Sequence, residues 1–311
     1  MSRPISSRML RWITYLLAMG GLLVALSLNR VSTPEAHAAS SASSVSIFAL
    51  TTNNTLVQFN SATPGTIIST VPISGIVAGE NIVGIDFRPA TGQLFAAAFN
   101  GASNHVYVIN LNTGVATVVT GTNFTPALSG TSFGFDFNPV VDRIRIVADT
   151  DQNLRLNPST GLVAAVDTPL AYASGDLHFG ANPNVVGAGY ANNIAGTMTT
   201  TLYVIDSILN ILARQGGVGG TPSANSGQLT TIGILGFITS PLVGLDIAWD
   251  GTAYASLTDS SGSPTNSKLF TINLTTGAAT FVGTIGGGAT GRIRDLAVRT
   301  VRRIYLPIVL K

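Results

Sequence analysis

Cysteine is absent from all 311 residues. That excludes a disulfide framework, a cysteine-ligated metal and a thiol nucleophile. A chain this long does not need such staples, because a folded domain of its size hides roughly three quarters of the surface its unfolded chain exposes. Charge is also scarce, with Asp, Glu, Lys and Arg together making up 10%. Four of the 16 basic residues (Arg3, Arg8, Arg11, Arg30) and one of the 14 acidic ones (Glu35) fall within the first 38 positions, leaving 12 against 13 and a net charge of −1. Six of those 12, Arg292, Arg294, Arg299, Arg302, Arg303 and Lys311, crowd into the last 20 residues. The body before them lacks the clustered Lys and Arg that neutralise phosphates, so nucleic acid is excluded as a partner. Beyond residue 38 the histidines are His105 and His178, and Lys268 is the sole lysine before the C-terminal tail. Helical periodicity is missing as well outside the first 38 residues.

What is present begins with an N-terminal leader. Arg3, Arg8 and Arg11 precede an uncharged apolar run from Trp12 to Leu28, and Ala36-His37-Ala38 has the small-x-small pattern of a signal-peptidase site. This anatomy predicts a secretory signal over 1–38, cleaved after Ala38. The rival reading is a retained anchor, since 17 apolar residues stand at the short limit for spanning a bilayer. Either way the remainder is expected outside the cytoplasm, in the periplasm, at the cell surface or released. After cleavage no further membrane span is expected.

A recurring unit follows. Its clearest copy runs Gly84-Ile85-Asp86-Phe87, Gly92-Gln93-Leu94-Phe95-Ala96, Val106-Tyr107-Val108-Ile109-Asn110, then Thr113-Gly114 before Ala116-Thr117-Val118-Val119. Short β-branched and aromatic runs bounded by Gly, Asn, Pro and Thr read as four strands joined by tight turns. Further copies open at Gly134-Phe135-Asp136-Phe137, near Gly175-Asp176-Leu177, and at Gly244-Leu245-Asp246-Ile247. The chain begins, at Ile47–Leu50, with a unit lacking its first strand, and near its end Arg294-Asp295-Leu296-Ala297-Val298 is a first strand lacking the rest. Complementary halves of this kind predict a closed ring, which also shields the strand edges. The expected fold is therefore all-β, a β-propeller closed by pairing of its N- and C-terminal strands. Five blades are expected. The long interval from Asp176 to Asp246 leaves six as the alternative. The expected bounds are a linker over 39–45, the propeller over 46–298 and a basic, then apolar, tail over 299–311. The tail reads either as an edge strand or as a sorting element.

Four segments carry a family resemblance: Ile82 to Leu94, Gly130 to Arg145, Gln152 to Pro158, and Tyr190-Ala191-Asn192-Asn193. Across about residues 46–298 the chain resembles the domain-of-unknown-function family numbered 4394. The resemblance implies an exported bacterial propeller-like domain and no assigned activity.

The candidate chemistry lies first in the recurring aspartates Asp86, Asp136, Asp176, Asp246 and Asp295. All but Asp295, which follows Arg294, stand between apolar neighbours or glycine, so alternation turns the carboxylate away from its neighbours' face. An ionised carboxylate there needs partners. It is expected either to hold backbone or hydroxyl donors of the adjacent blade, or to join a ring that binds a cation such as Ca²⁺ in the channel. Asp149-Thr150-Asp151-Gln152-Asn153 matches the start of a calcium loop, but Leu154 stands where Gly is required and Thr160 where a carboxylate closes the loop, which makes Asp149, Asp151 and Asn153 weak metal candidates. Arg143, Arg145 and Arg155 predict an ion-pair network or a face for an anionic ligand. Gly130-Thr131-Ser132-Phe133-Gly134 spells a hydrolase nucleophile elbow, but a strand, not a helix, is predicted after it. Gly286–Gly291 spells a dinucleotide fingerprint with the same defect.

These readings favour a non-catalytic exported module that binds or scaffolds at the cell envelope, with no cofactor and no catalytic residue assigned. The expected partner is an envelope or extracellular ligand or protein, and the expected state is a monomer. The alternative is a hydrolase or lyase, lactonase-like or glycan-cleaving, with a cation such as Ca²⁺ in the central channel and His178 close to Asp176.

Overall fold

The turns show how local chemistry cuts the chain into strands. Asn110 Oδ1 accepts the amides of Asn112 (2.9 Å) and Thr113 (3.1 Å), and Gly114, at φ 71°, donates its amide to the Asn110 carbonyl at 2.8 Å. The Asx turn reverses the chain, and glycine supplies the left-handed backbone at its exit. The same turn recurs at Asn157–Gly161 and Asn273–Gly277, which accounts for the repeated Thr-Gly of the sequence unit.

The computed structural model describes residues 44–260 and 266–299. The leader 1–38, most of the linker and the tail beyond Arg299 lie outside the described residues. No described helix is long and apolar enough to cross a membrane. Strands β1 (Ser46–Thr51), β2 (Thr55–Asn60) and β3 (Thr63–Pro72) open the chain. Blade 1 is β4 (Asn81–Phe87), β5 (Leu94–Phe99), β6 (Asn104–Ile109) and β7 (Ala116–Val118). Blade 2 is β8 (Phe133–Asn138), β9 (Arg143–Ala148), β10 (Asn153–Leu156) and β11 (Val163–Val166). Blade 3 holds β12 (Ala171–Tyr172), β13 (Val185–Tyr190), β14 (Leu202–Asp206), β15 (Ile211–Gln215) and β16 (Gln228–Ile234). Blade 4 is β17 (Thr239–Ile247), β18 (Ala253–Asp259), β19 (Ser267–Ile272) and β20 (Ala279–Thr284). Finally β21 (Ile293–Val298) pairs with β1, opposing Ala297 to Phe48 and Leu296 to Ala49, and completes blade 5.

The protein is a β-propeller of five antiparallel blades. The inner strands β4, β8, β13, β17 and β21 each pack on the next, and the last packs on the first. Aromatic rings lock the blade interfaces edge to face, Phe48 on Phe87 at 5.4 Å and Phe95 on Phe137 at 5.3 Å between centroids.

The third blade corrects the sequence reading. It does not open at Asp176 but at β13, whose Gly187-Ala188-Gly189-Tyr190 occupies the register of Gly84–Phe87. Asp176 belongs to the preceding loop. The long interval from Asp176 to Asp246, which left room for a sixth blade, holds the rest of that loop and strands β13 to β16 of this one blade, and the short β12, just before it, lies parallel to β16 at the blade's outer edge.

Close approach of the inner strands explains the shared glycine. A Cβ on Gly134 would lie 2.8 Å from the backbone amide of Ala188, and one on Gly244 would lie 2.4 Å from that of Leu296. Gly134→Ala is therefore expected to destabilise by about 1–3 kcal/mol through overpacking. Gly121→Ala, where a Cβ meets nothing within 4 Å, should stay within about 0.5 kcal/mol. Urea denaturation of both variants checks this contrast, and equal stabilities would refute the close-approach account.

Candidate functional site

The alternation of the inner strands carries every second side chain toward the channel and the next blade. Asp86, Asp136 and Asp246 occupy equivalent positions on β4, β8 and β17. One carboxylate oxygen from each lies within 4.8 Å of the other two, and all three residues are buried. The equivalent positions on β13 and β21 hold Gly189 and Ala297. Asp295 stands two residues earlier in register, at the level where the other blades carry glycine, so its carboxylate lies beside Gly84. Of the five recurring aspartates, three thus stand at one level and Asp295 in the adjacent layer, while Asp176 lies in the loop before β13 and not on an inner strand.

Each carboxylate ties its strand to the next. The Phe137 amide donates to Asp86 at 2.8 Å, the Tyr190 amide to Asp136 at 3.2 Å, the Val298 amide to Asp246 at 2.6 Å, and the Ile85 amide to Asp295 at 2.8 Å. Asp86 and Asp246 also accept the amide of their own following residue at 2.6 Å. Burial, followed by the charge of Asp246, pushes the Asp86 carboxyl well above the usual carboxylate range. Burial and then Asp86 do the same to Asp136. Burial pushes Asp246 up to about 6 against its backbone bonds, and it also raises Asp295. Among the described buried atoms, Asp136 Oδ2 has no hydrogen-bond partner.

Asn193 reaches this cluster from the loop after β13. It is 3% exposed, its amide nitrogen lies 3.4 Å from Asp246 Oδ1, and its own Oδ1 is unpartnered. Residues 190–193 are one of the segments that carry the family resemblance, but their spacing gave no hint of this role.

At the end of the channel where the inner strands begin lies a depression of about 470 Å³. Asn81, Thr131, Ser132, Leu242 and Arg294 line it, with Phe99 and Phe133 as apolar wall. Arg294 is fixed by the carbonyls of Ile82 and Thr52, and burial lowers its pKa against the opposing charge of Asp295. Ser132 leads into β8 rather than a helix. Asp149 accepts the amides of Thr131 (3.0 Å) and Ser132 (3.1 Å), which holds this rim in place.

The remaining candidates are scattered. Asp149 and Asn153 are taken up by separate partners, Asn153 being buried and bonded to Arg145, Gln215 and the Thr168 carbonyl, while Asp151 occupies a turn at φ 65° with its Oδ1 buried and unpartnered. Asp176 accepts the Thr231 amide at 2.6 Å, and His178 Nδ1 lies 2.8 Å from the Thr231 hydroxyl, which places the pair against β16 near the outer edge of blade 3. His105 lies 2.7 Å from Glu80 Oε1, and Tyr107 donates to Glu80 Oε2 at 2.7 Å; all three residues are buried. No motif announced Glu80, which sits in a loop 25 residues before its histidine.

Arg145 and Arg155 form an ion-pair network. Both guanidinium groups converge on Asp167, Arg145 at 2.5 Å and Arg155 at 2.7 Å, and Arg145 also donates to Asn153 and Asn225 at 2.7 Å. Arg143 stands apart, donating to the carbonyls of its own turn. Burial by itself would raise the Asp167 carboxyl, but the bonds from Arg155 and Arg145 outweigh it and hold it below the usual range.

This geometry defines a class, a five-bladed propeller with a carboxylate cluster at its centre and a polar mouth above it. The chain belongs to the family described as Domain of unknown function (DUF4394), whose model matches residues 55–297. No curated protein matches it. Similar solved structures include TolB from Acinetobacter baumannii, at 12% identity and TM-score 0.45, over 83% of this chain and 67% of that one. A nidogen/laminin complex aligns at 10% identity and TM-score 0.45, over 82% and 98%. A putative 6-phosphogluconolactonase from Bacteroides uniformis aligns at 14% identity and TM-score 0.42, over 78% and 83%.

Removing the shared carboxylate of the Arg145 network leaves a buried guanidinium without its counter-charge. Asp167→Asn is expected to cost about 3–5 kcal/mol, whereas Arg155→Gln, at the partly exposed end, should cost about 1 kcal/mol or less. Because the folded pKa of Asp167 is lowered, its contribution is complete above the ordinary carboxylate pKa and disappears as pH falls through the lowered value. Denaturant titrations of wild type and Asp167→Asn should therefore converge on acidification.

Proposed function

We propose that this protein is an exported, non-catalytic propeller that binds a hydroxyl-rich ligand of the cell envelope at its channel mouth. Export rests on the leader anatomy of residues 1–38. The observation that carries the binding reading is the composition of the 470 Å³ depression. Amide and hydroxyl groups of Asn81, Thr131 and Ser132 stand beside the apolar surfaces of Phe99 and Phe133, with the pinned guanidinium of Arg294 at one side. A concave site with a few oriented polar groups on an apolar wall is the general form of a small-molecule site. Uncharged donors and acceptors next to an apolar face suit a polyol or sugar better than a phosphate. The rim is held by Asp149 and the floor by the inner strands, so little ordering cost attends binding.

Two measurements test this reading. N-terminal analysis of the protein from the extracytoplasmic fraction should find Ala39 as the first residue, and an intact Met1 would support the retained anchor instead. Calorimetry against solubilised envelope polysaccharide should show saturable binding that Ser132→Trp weakens at least about 10-fold by filling the mouth. The melting temperature should not change. Absence of binding by the wild type, or hydrolysis of the polysaccharide, would overturn the proposal.

A further inference from the structure

We propose that the centre of the channel is a calcium site, with the carboxylates of Asp86, Asp136 and Asp246 and the amide oxygen of Asn193 as its protein ligands. This inference stands apart from the mouth, and its test does not depend on any envelope ligand.

Geometry comes first. Two oxygens on opposite sides of one Ca²⁺ stand about 4.8 Å apart, given Ca–O distances near 2.4 Å. The three carboxylates present oxygens that are all within 4.8 Å of one another, which is the spread a single ion spans. The donors are all oxygen, which selects a hard cation over zinc or copper. Mg²⁺ demands near-ideal octahedral geometry, whereas Ca²⁺ accepts an irregular shell of six to eight oxygens, so four buried oxygen donors with water completing the shell suit calcium better.

The hydrogen bonding points the same way. Asp86 and Asp246 have a backbone amide on each carboxylate oxygen, which leaves further lone pairs directed elsewhere. Asp136 Oδ2 and Asn193 Oδ1 are buried and unpartnered. An unpaired buried oxygen is costly, and both the carboxylate of Asp136 and the amide that Asn193 extends to Asp246 carry one. Asn193 belongs to no carboxylate strand, and its amide touches Asp246, so it closes the cluster from outside the inner-strand repeat. Turning its amide brings the oxygen to the position where the nitrogen now lies.

The rival arrangement leaves the carboxylates to share protons. The two can be told apart with the purified, processed protein. After exhaustive chelation, millimolar CaCl₂ is expected to raise the melting temperature by about 5 °C or more, because a ligand of the native state stabilises it by mass action. MgCl₂ at equal concentration should raise it less, and elemental analysis of the protein saturated with calcium and desalted should find one calcium per chain. Asp136→Asn keeps the acceptor for the Tyr190 amide and removes one like charge. It should melt higher than wild type in chelator and lose most of the calcium response, whereas a purely structural aspartate would melt lower. Asn193→Ala should fold and bind calcium at least about 10-fold more weakly. An unchanged melting temperature with no calcium in the acid-denatured protein would overturn the site, as would a full calcium response in both variants.

Discussion

The bond from an inner-strand carboxylate to a backbone amide of the next blade is the interaction on which this ring depends. Propeller blades otherwise meet through side-chain packing, which is strong but carries little registry information. A carboxylate accepting a main-chain amide in a buried centre is directional, and it is stronger than a neutral pair. Asp86 ties blade 1 to blade 2, Asp136 ties 2 to 3, Asp246 ties 4 to 5, and Asp295 ties 5 to 1. Blade 3 has Gly189 at this position and makes no such bond to blade 4. There the amide of Asn193 reaches Asp246 instead, a weaker contact at 3.4 Å.

The same bonds require close approach, and close approach requires glycine one layer away. Gly84, Gly134, Gly187 and Gly244 let each inner strand lie against the next at a distance where a Cβ would collide. Aspartate and glycine two residues apart are therefore one device, in which glycine brings the strands together and aspartate reads the amide that this exposes. On β21 the device is displaced. Asp295 takes the glycine level and reaches Ile85, two residues earlier than the other carboxylates reach their partners.

Much of the architecture was legible in the sequence, because alternation and turn chemistry are local. The halves at Ile47–Leu50 and Arg294–Val298 predicted circular closure, and their pairing follows from burying both edges. Blade 3 was misread for a physical reason. The motif tracked was an aspartate between apolar residues, and β13 lacks one. Gly189 is silent to such a search, while Asp176, in a loop, imitated the signal. Tracking the glycine of the close approach instead gives openings at Gly84, Gly134, Gly187 and Gly244, and these are more evenly spaced than the aspartates. The cluster itself was harder to read. Asn193 and Asp167 lie in loops whose paths are set by packing, and no periodicity connects them to Asp246 or Arg145.

The departures from symmetry decide what the centre can hold. A ring with aspartate on every inner strand would crowd like charges into a buried space, at a desolvation cost that one divalent ion does not offset. Gly189 and Ala297 remove two of those positions. Asp295, shifted one layer toward the mouth, lies within the field of Arg294, which works to lower its pKa. The three remaining carboxylates are met by the amides of Phe87, Phe137, Tyr190, Ile247 and Val298. A divalent cation leaves one excess negative charge, and five oriented amide dipoles are placed to accommodate it. Substitution of the repeat at two blades is thus the departure on which the proposed calcium site rests.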